Sequence, residues 1–129
     1  MSLHEYKRRV CYRDTDAMGI VYHGEYLGLM EEARCQWCFA RQLGDARSAP
    51  RLAVRHVDIH YYRPARFGDL LRITGEYAVR GKASLTVEHH IYNDETNMLL
   101  CKASILLAHL NEQGKPTRMS AELIEEVLK

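Results

Sequence analysis

Two carboxylates, a histidine and two glycines crowd into Asp14-Thr15-Asp16-Ala17-Met18-Gly19-Ile20-Val21-Tyr22-His23-Gly24. This stretch leaves a short strand-like run and enters the longest helical pattern of the chain. A loop feeding a helix N-terminus offers unpaired backbone N–H groups at the positive end of a dipole. Anions and developing oxyanions are stabilised there. An aspartate beside such a spot can attack a carbonyl, or activate the water that does. Asp16 is the candidate, on a loop able to fold back over the helix end. The ordinary fate of such an aspartate is an N-cap or an Asx-turn. Asp14 fits better as a loop brace, although two carboxylates held close would raise one pKa.

His23 stands where loop meets helix, and three jobs are open to it. Its backbone N–H can polarise a carbonyl, its imidazole can hold water or assist a leaving group, or it can pack against a strand. Tyr22 and Tyr26 suit the walls of a pocket. Other reactive residue types are spaced for structure. Cys35-Gln36-Trp37-Cys38 has redox or zinc-like spacing, but it lies mid-helix without a second pair, so both are expected as buried thiols. His89 and His90 point to opposite faces of a strand. His56 and His60 share a face, but about 13 Å apart, too far for one ion.

The elements that must position these groups follow from periodicity. A first strand is expected over 5–12, from Tyr6, Val10 and Tyr12. A helix is expected over 24–43, with Tyr26, Met30, Ala33, Trp37 and Ala40 at three- and four-residue steps. Leu27, Cys38 and Leu43 widen the stripe, and Gly44 stands where a C-terminal cap belongs. Gly28 inside the helix suggests close packing against a strand. Gly19 permits a backbone shape other residues resist. Ser48-Ala49-Pro50 breaks the pattern.

Four strand-like runs come next. In 52–62, Ala53, Val57, Ile59 and Tyr61 share one face, and His56, Asp58 and His60 the other. In 70–79, Leu71, Ile73, Tyr77 and Val79 are in phase; in 83–92, Leu85, Val87, His89 and Ile91. The run 98–110 is apolar on both faces and is expected centrally. Tight turns are expected at Arg80-Gly81-Lys82 and over 93–97. A short amphipathic helix over 120–128 closes the chain. Strand, long helix, then four strands is an α+β arrangement, one antiparallel sheet with a helix across one face. The uncovered face and a long edge strand point to a further subunit.

The stretch Asp14 to His23 resembles the signature of the hot-dog-fold thioesterases of the 4-hydroxybenzoyl-CoA thioesterase-like group, above all its Tol-Pal-associated acyl-CoA branch. Tyr62-Arg63-Pro64-Ala65-Arg66-Phe67-Gly68-Asp69 and Gly114-Lys115-Pro116 are similar too, although Met119-Ser120 stands where the family often has Ile-Pro. The likeness covers nearly the whole chain. It implies a hot-dog fold, a five-stranded antiparallel sheet wrapped around a long central helix, as a single domain over 1–129. It implies hydrolysis of acyl-CoA thioesters without cofactor or metal, in a homodimer or homotetramer. It places the catalytic carboxylate at Asp16 and the carbonyl-polarising N–H at His23. Coenzyme A is polyanionic, so basic residues are expected at the pocket mouth. Arg63, Arg66, Arg80, Lys82 and Arg118 are candidates, with Arg80-Gly81-Lys82 the best perch for phosphate.

Composition agrees with this. Apolar residues make up 47% and charged residues 27%, as in a globular domain, and a net charge of +1 gives no reason to expect nucleic acid. No apolar run follows the first basic residues, and none reaches a membrane span, so no signal peptide or insertion is expected and the cytoplasm is the default. Two rivals stand beside the hydrolase: a non-catalytic acyl-thioester binder or scaffold, and a 3-hydroxyacyl-thioester dehydratase. The dehydratase needs a helical acid opposite a histidine, and Glu31 and Glu32 lie too far along the helix.

Overall fold

The computed structural model describes residues 1–43 and 49–129. Five strands form one antiparallel sheet: β1 (Ser2–Arg9), β2 (Leu52–Tyr61), β3 (Leu70–Gly81), β4 (Ser84–Asn93) and β5 (Leu99–His109). Their order across the sheet is β1-β3-β4-β5-β2. Helix α1 (Glu25–Ala40) crosses one face, and α2 (Ala121–Leu128) packs beside it on β3 and β1.

The inward face is the one the alternation marks. Leu71, Ile73 and Tyr77 of β3, Leu85, Val87, His89 and Ile91 of β4, and Cys101, Ala103, Ile105 and Leu107 of β5 are all buried. From α1, Tyr26, Leu29, Met30, Ala33 and Trp37 meet them. Each large aliphatic side chain buried there contributes about 1.5–3 kcal/mol. Trp37 stacks on Tyr77 with ring centroids 4.0 Å apart, and its Nε1–H donates to Ser2 Oγ at 3.0 Å. That bond ties β1 to the helix. Gly75 makes the close fit possible, since a Cβ there would lie 3.1 Å from Tyr77 Cε2. α2 starts at Ser120, whose Oγ accepts from Leu123 N–H, and it buries Leu123 and Val127.

Several sequence expectations are corrected. β1 runs from Ser2 to Arg9, and Tyr12–Asp14 forms a 3-10 turn, because Asp14 N–H and Thr15 N–H bond back to Cys11 O and Tyr12 O. α1 ends at Ala40, not at 43. Gln42 adopts φ 56°, Gln42 N–H bonds Phe39 O, and Leu43 N–H bonds Cys38 O. This is a Schellman ending with glutamine at the left-handed position where glycine is usual; the expected cap Gly44, and Ser48, lie outside the described residues. Ala40, expected in the apolar stripe, is exposed. Gly28 packs on no strand: it is exposed, and only the Glu25 carboxylate comes within 4 Å of its Cβ position. Cys35 is exposed, and only Cys38 is partly buried, its thiol pushed up to about 11 by desolvation.

A register shift between Val54 and His56 inserts Arg55 as an extra residue in β2. Ala53 therefore pairs with outward-facing Ala108, on the face opposite Val57. β5 is interior, but the middle strand is β4. The edge place of β2 agrees with the expectation of a long edge strand.

One polar contact is buried among the apolar ones. His89 Nδ1 is 3.0 Å from Thr74 O, and its Nε2 is 3.2 Å from Arg34 Nη1. A carbonyl only accepts and a guanidinium only donates, so both partners demand the neutral imidazole with the proton on Nδ1. Burial, aided by the Arg34 charge, pushes its pKa down to about 3. A group depressed in the folded state stabilises above its unfolded pKa, about 6.5, and loses that contribution as pH falls toward the folded value. Urea unfolding is expected to show stability falling by up to about 1.4 kcal/mol per pH unit below about pH 6.5. His4, also lowered by burial, adds the same sign. In His89→Gln the slope between about pH 6 and pH 4.5 should be markedly smaller; an unchanged slope counts against the neutral, proton-excluding role.

Candidate active site

The chain from Asp14 to Tyr22 doubles back on itself. Thr15 bridges Val21, Asp16 N–H bonds Ile20 O at 2.9 Å, and Gly19 N–H bonds Asp16 O at 3.0 Å. Gly19 closes this turn at φ 75°, a value that favours glycine. The base of the turn is Asp14, only 1% exposed. Its carboxylate takes both Arg8 Nη groups and the Cys11 N–H. Burial alone would raise its pKa, but Arg8 and the Cys11 N–H overcome that and hold it below the usual carboxylate range. Asp14 is thus a brace.

The connection between β2 and β3 clasps this turn from outside. Val21 N–H bonds Ala65 O at 2.8 Å, Ile20 bridges Arg66, and Phe67 N–H bonds Gly19 O at 3.3 Å. Ala65 N–H donates to the hydroxyl of Tyr26 at 3.1 Å, which locks the clasp to the first turn of α1.

Between these parts lies a cleft of about 340 Å³, lined by Asp16, Met18, His23, Tyr26, Tyr61 and Arg63 among others. Asp16 is half-buried. Its Oδ1 accepts from Met18 N–H at 2.8 Å, an Asx-turn that fixes the carboxylate, while Oδ2 accepts no hydrogen bond from the described residues. The ordinary role and an open oxygen therefore coexist in one side chain. At the helix start Gly24 is the N-cap and no side chain caps the turn. The N–H groups of His23 and Gly24 have no partner among the described residues.

The walls are aromatic. Tyr61 lies edge-on to Tyr26 with centroids 5.3 Å apart, and its hydroxyl donates to His23 O at 2.9 Å. Tyr22, expected in a wall, is exposed instead and tilts against His23 at 4.3 Å, outside the residues that line the cleft. Sequence reasoning missed Tyr61. It closes an edge strand, and its place immediately before the motif that starts at Tyr62 was the available signal.

Of the expected basic residues, Arg63 reaches the cleft. Arg80, Lys82 and Arg118 do not: they gather at the far end of β3, where Arg80 Nε donates to Thr86 and Met119 N–H bonds Lys82 O. Twelve residues of strand separate the two ends of β3, about 36 Å at the usual rise. Volume does not single out the cleft, since a cavity of about 370 Å³ near Leu43, His109 and Leu123 is larger. That cavity holds none of the expected site residues.

A family model described as the Thioesterase superfamily matches residues 18–99. The chain belongs to that superfamily. This thioesterase-superfamily chain is 36% identical over 125 residues to the acyl-CoA thioester hydrolase YbgC of Escherichia coli O6:H1, covering 92% of this chain and 90% of that one. It superposes on a probable thioesterase from Bartonella henselae with a TM-score of 0.79 and 32% identity, covering 93% and 100% of the two chains. A 1,4-dihydroxy-2-naphthoyl-CoA thioesterase from Synechocystis superposes with a TM-score of 0.90 at 21% identity, over 98% and 96%; at that identity it supports the fold alone. The hot-dog architecture expected from the sequence is the one observed. No helix among the described residues is long and apolar enough to cross a membrane.

Removing the brace should be costly. Asp14→Ala leaves Arg8 with Glu32, 3.3 Å from its Nε, as its one carboxylate among the described residues, and is expected to destabilise the thioesterase by about 3 kcal/mol in urea unfolding. A loss under 1 kcal/mol would mean the pair contributes little.

Proposed function

We propose that this chain hydrolyses acyl-CoA thioesters to free acid and coenzyme A, with Asp16 as the catalytic carboxylate. The thioester carbonyl oxygen sits on the N–H groups of His23 and Gly24, at the positive end of α1. Asp16 lines the same cleft, and its uncommitted Oδ2 either attacks the carbonyl carbon or takes the proton of the water that does. When water attacks, its new C–O bond forms as Asp16 takes the proton, the C–S bond breaks, the thiolate leaves and is protonated by solvent, and Asp16 returns its proton to solvent. When Asp16 attacks, the C–S bond breaks to leave an acyl-aspartyl anhydride and the thiolate, and a water then splits the anhydride into free acid and the Asp16 carboxylate. The observation that carries this reading is one open carboxylate oxygen and an uncapped helix start lining one cleft, in a chain of this superfamily.

The site does not suit the dehydratase. Glu31 and Glu32 line a separate groove with Tyr6 and Arg8 on the other flank of α1. Glu32 is already engaged by Arg8 and by the Tyr6 hydroxyl.

The enzyme works as a homodimer or a pair of dimers. β2 is a ten-residue edge strand that runs directly into Tyr61, Tyr62 and Arg63 of the cleft. A second copy adding across that edge covers it and supplies the missing side of the pocket. The four cysteines are free thiols, in keeping with a reducing cytoplasm.

Release of free thiol from a panel of short-chain, long-chain and aryl CoA esters tests the reading. Asp16→Asn should lower kcat by about 10²–10⁴-fold with little change in KM and an intact fold. Because His23 serves through its backbone, His23→Ala should keep kcat within about tenfold of wild type; a drop of 10² or more would place the imidazole in the chemistry. Full activity in Asp16→Asn overturns the assignment.

A further inference from the structure

Outside the clasp, Tyr12 and Phe67 stack with ring centroids 4.2 Å apart and 16° between their planes. Tyr12 is 80% exposed and Phe67 48%. The pair stands in water as a platform.

Cations stand beside it. Arg66 precedes Phe67, and Arg9 reaches over to donate from Nη1 to Gly68 O at 2.7 Å. Arg63 lines the cleft. All three are exposed, and none has a carboxylate within salt-bridge distance among the described residues. Arg8 and Arg72, nearby in the sheet, are both paired. Asp69 is local but occupied, its Oδ2 accepting from Arg66 N–H. Arg13 turns instead toward the groove along α1, beside Glu25 and Glu31. In a chain of net charge +1, two unpaired guanidiniums on the β2–β3 connection and a third at the adjoining end of β1 are a local concentration.

An open aromatic face beside guanidinium groups is what a purine nucleotide binds: the base stacks, and the phosphates take charge-assisted hydrogen bonds. We propose that the Tyr12–Phe67 platform stacks the adenine of coenzyme A, and that Arg9 and Arg66 hold its phosphates while Arg63 guards the cleft mouth. This rests on the thioesterase reading above. The platform is close enough to serve it. Phe67 N–H bonds Gly19 O in the turn that carries Asp16, and Arg66 bridges Ile20, a cleft residue. The pantetheine arm then runs from platform to cleft along one loop. The basic turn at Arg80-Gly81-Lys82 stands at the far end of the sheet and is not needed by the same chain.

The test compares one acyl group carried on coenzyme A and on pantetheine, which lacks the nucleotide. Tyr12→Ala should raise KM for acyl-CoA by about tenfold and leave both kcat and the acyl-pantetheine values within about twofold. Tyr12→Phe should restore the wild-type KM, and Arg66→Glu should raise KM for the CoA ester alone. Unchanged acyl-CoA KM in Tyr12→Ala and Arg66→Glu overturns the proposal. So does an equal rise for both carriers, or a selective rise in Lys82→Glu without one in Tyr12→Ala. Calorimetric titration with adenosine 3′,5′-bisphosphate separates this proposal from the catalytic one. If no thioester is cleaved, the hydrolase reading fails, yet binding weakened by Tyr12→Ala still supports the platform and absence of binding refutes it.

Discussion

Asp14 gives up nearly all contact with water to take hydrogen bonds from Arg8 and from the Cys11 N–H. Burying an ionised carboxylate is tolerated only when charge and hydrogen bonds compensate it, and here both are supplied from one stretch of chain. The result is a fixed corner between β1 and α1. Its carbonyl accepts from Tyr22 N–H at 3.0 Å, so the corner also sets where the helix begins. Asp16 and His23 inherit their separation from that geometry, although Asp14 does not touch the cleft.

The helix then needs a bed. The sheet provides it through strict alternation in β3 and β4, and Trp37 is the deepest point of contact. Its stack on Tyr77 and its bond to Ser2 join helix, central sheet and edge strand at one residue. Arg34 lies on the same side of the helix and is accepted there because His89 is neutral and offers a lone pair. Even the polar part of this core is therefore specific in the proton it tolerates.

Much of this could be read from the residues. The inward phases of β3 and β4 follow from Leu71, Ile73, Leu85, Val87 and Ile91, because period-two patterning is a local property. The loop-to-helix site was visible through the spacing of Asp14, Asp16 and His23 and the likeness it carries. What could not be read depends on choices made by the whole fold. The extra residue Arg55 flips Ala53 to the other face, and a bulge leaves no mark in composition. Gln42 takes a left-handed conformation usually left to glycine, so the helix seemed longer than it is. Gly28 and Cys35 were expected to be packed, and both face outward. Tyr61 enters the cleft only because the end of β2 lies beside the start of α1. The basic turn at Lys82 failed to join Asp16 for the same reason, since distance across a sheet is not written in spacing along a chain.

The two loops that meet at the cleft are held by backbone atoms, with Gly19 and Gly68 both at positive φ and N–H groups crossing from one loop to the other. Main-chain bonds do not depend on side-chain identity. Drift in Met18, Tyr61 or Tyr62 can therefore reshape the walls without moving the turn between them. A scaffold stitched in this way separates what is cut from how it is cut, and lets new acyl preferences arise by changing the lining alone.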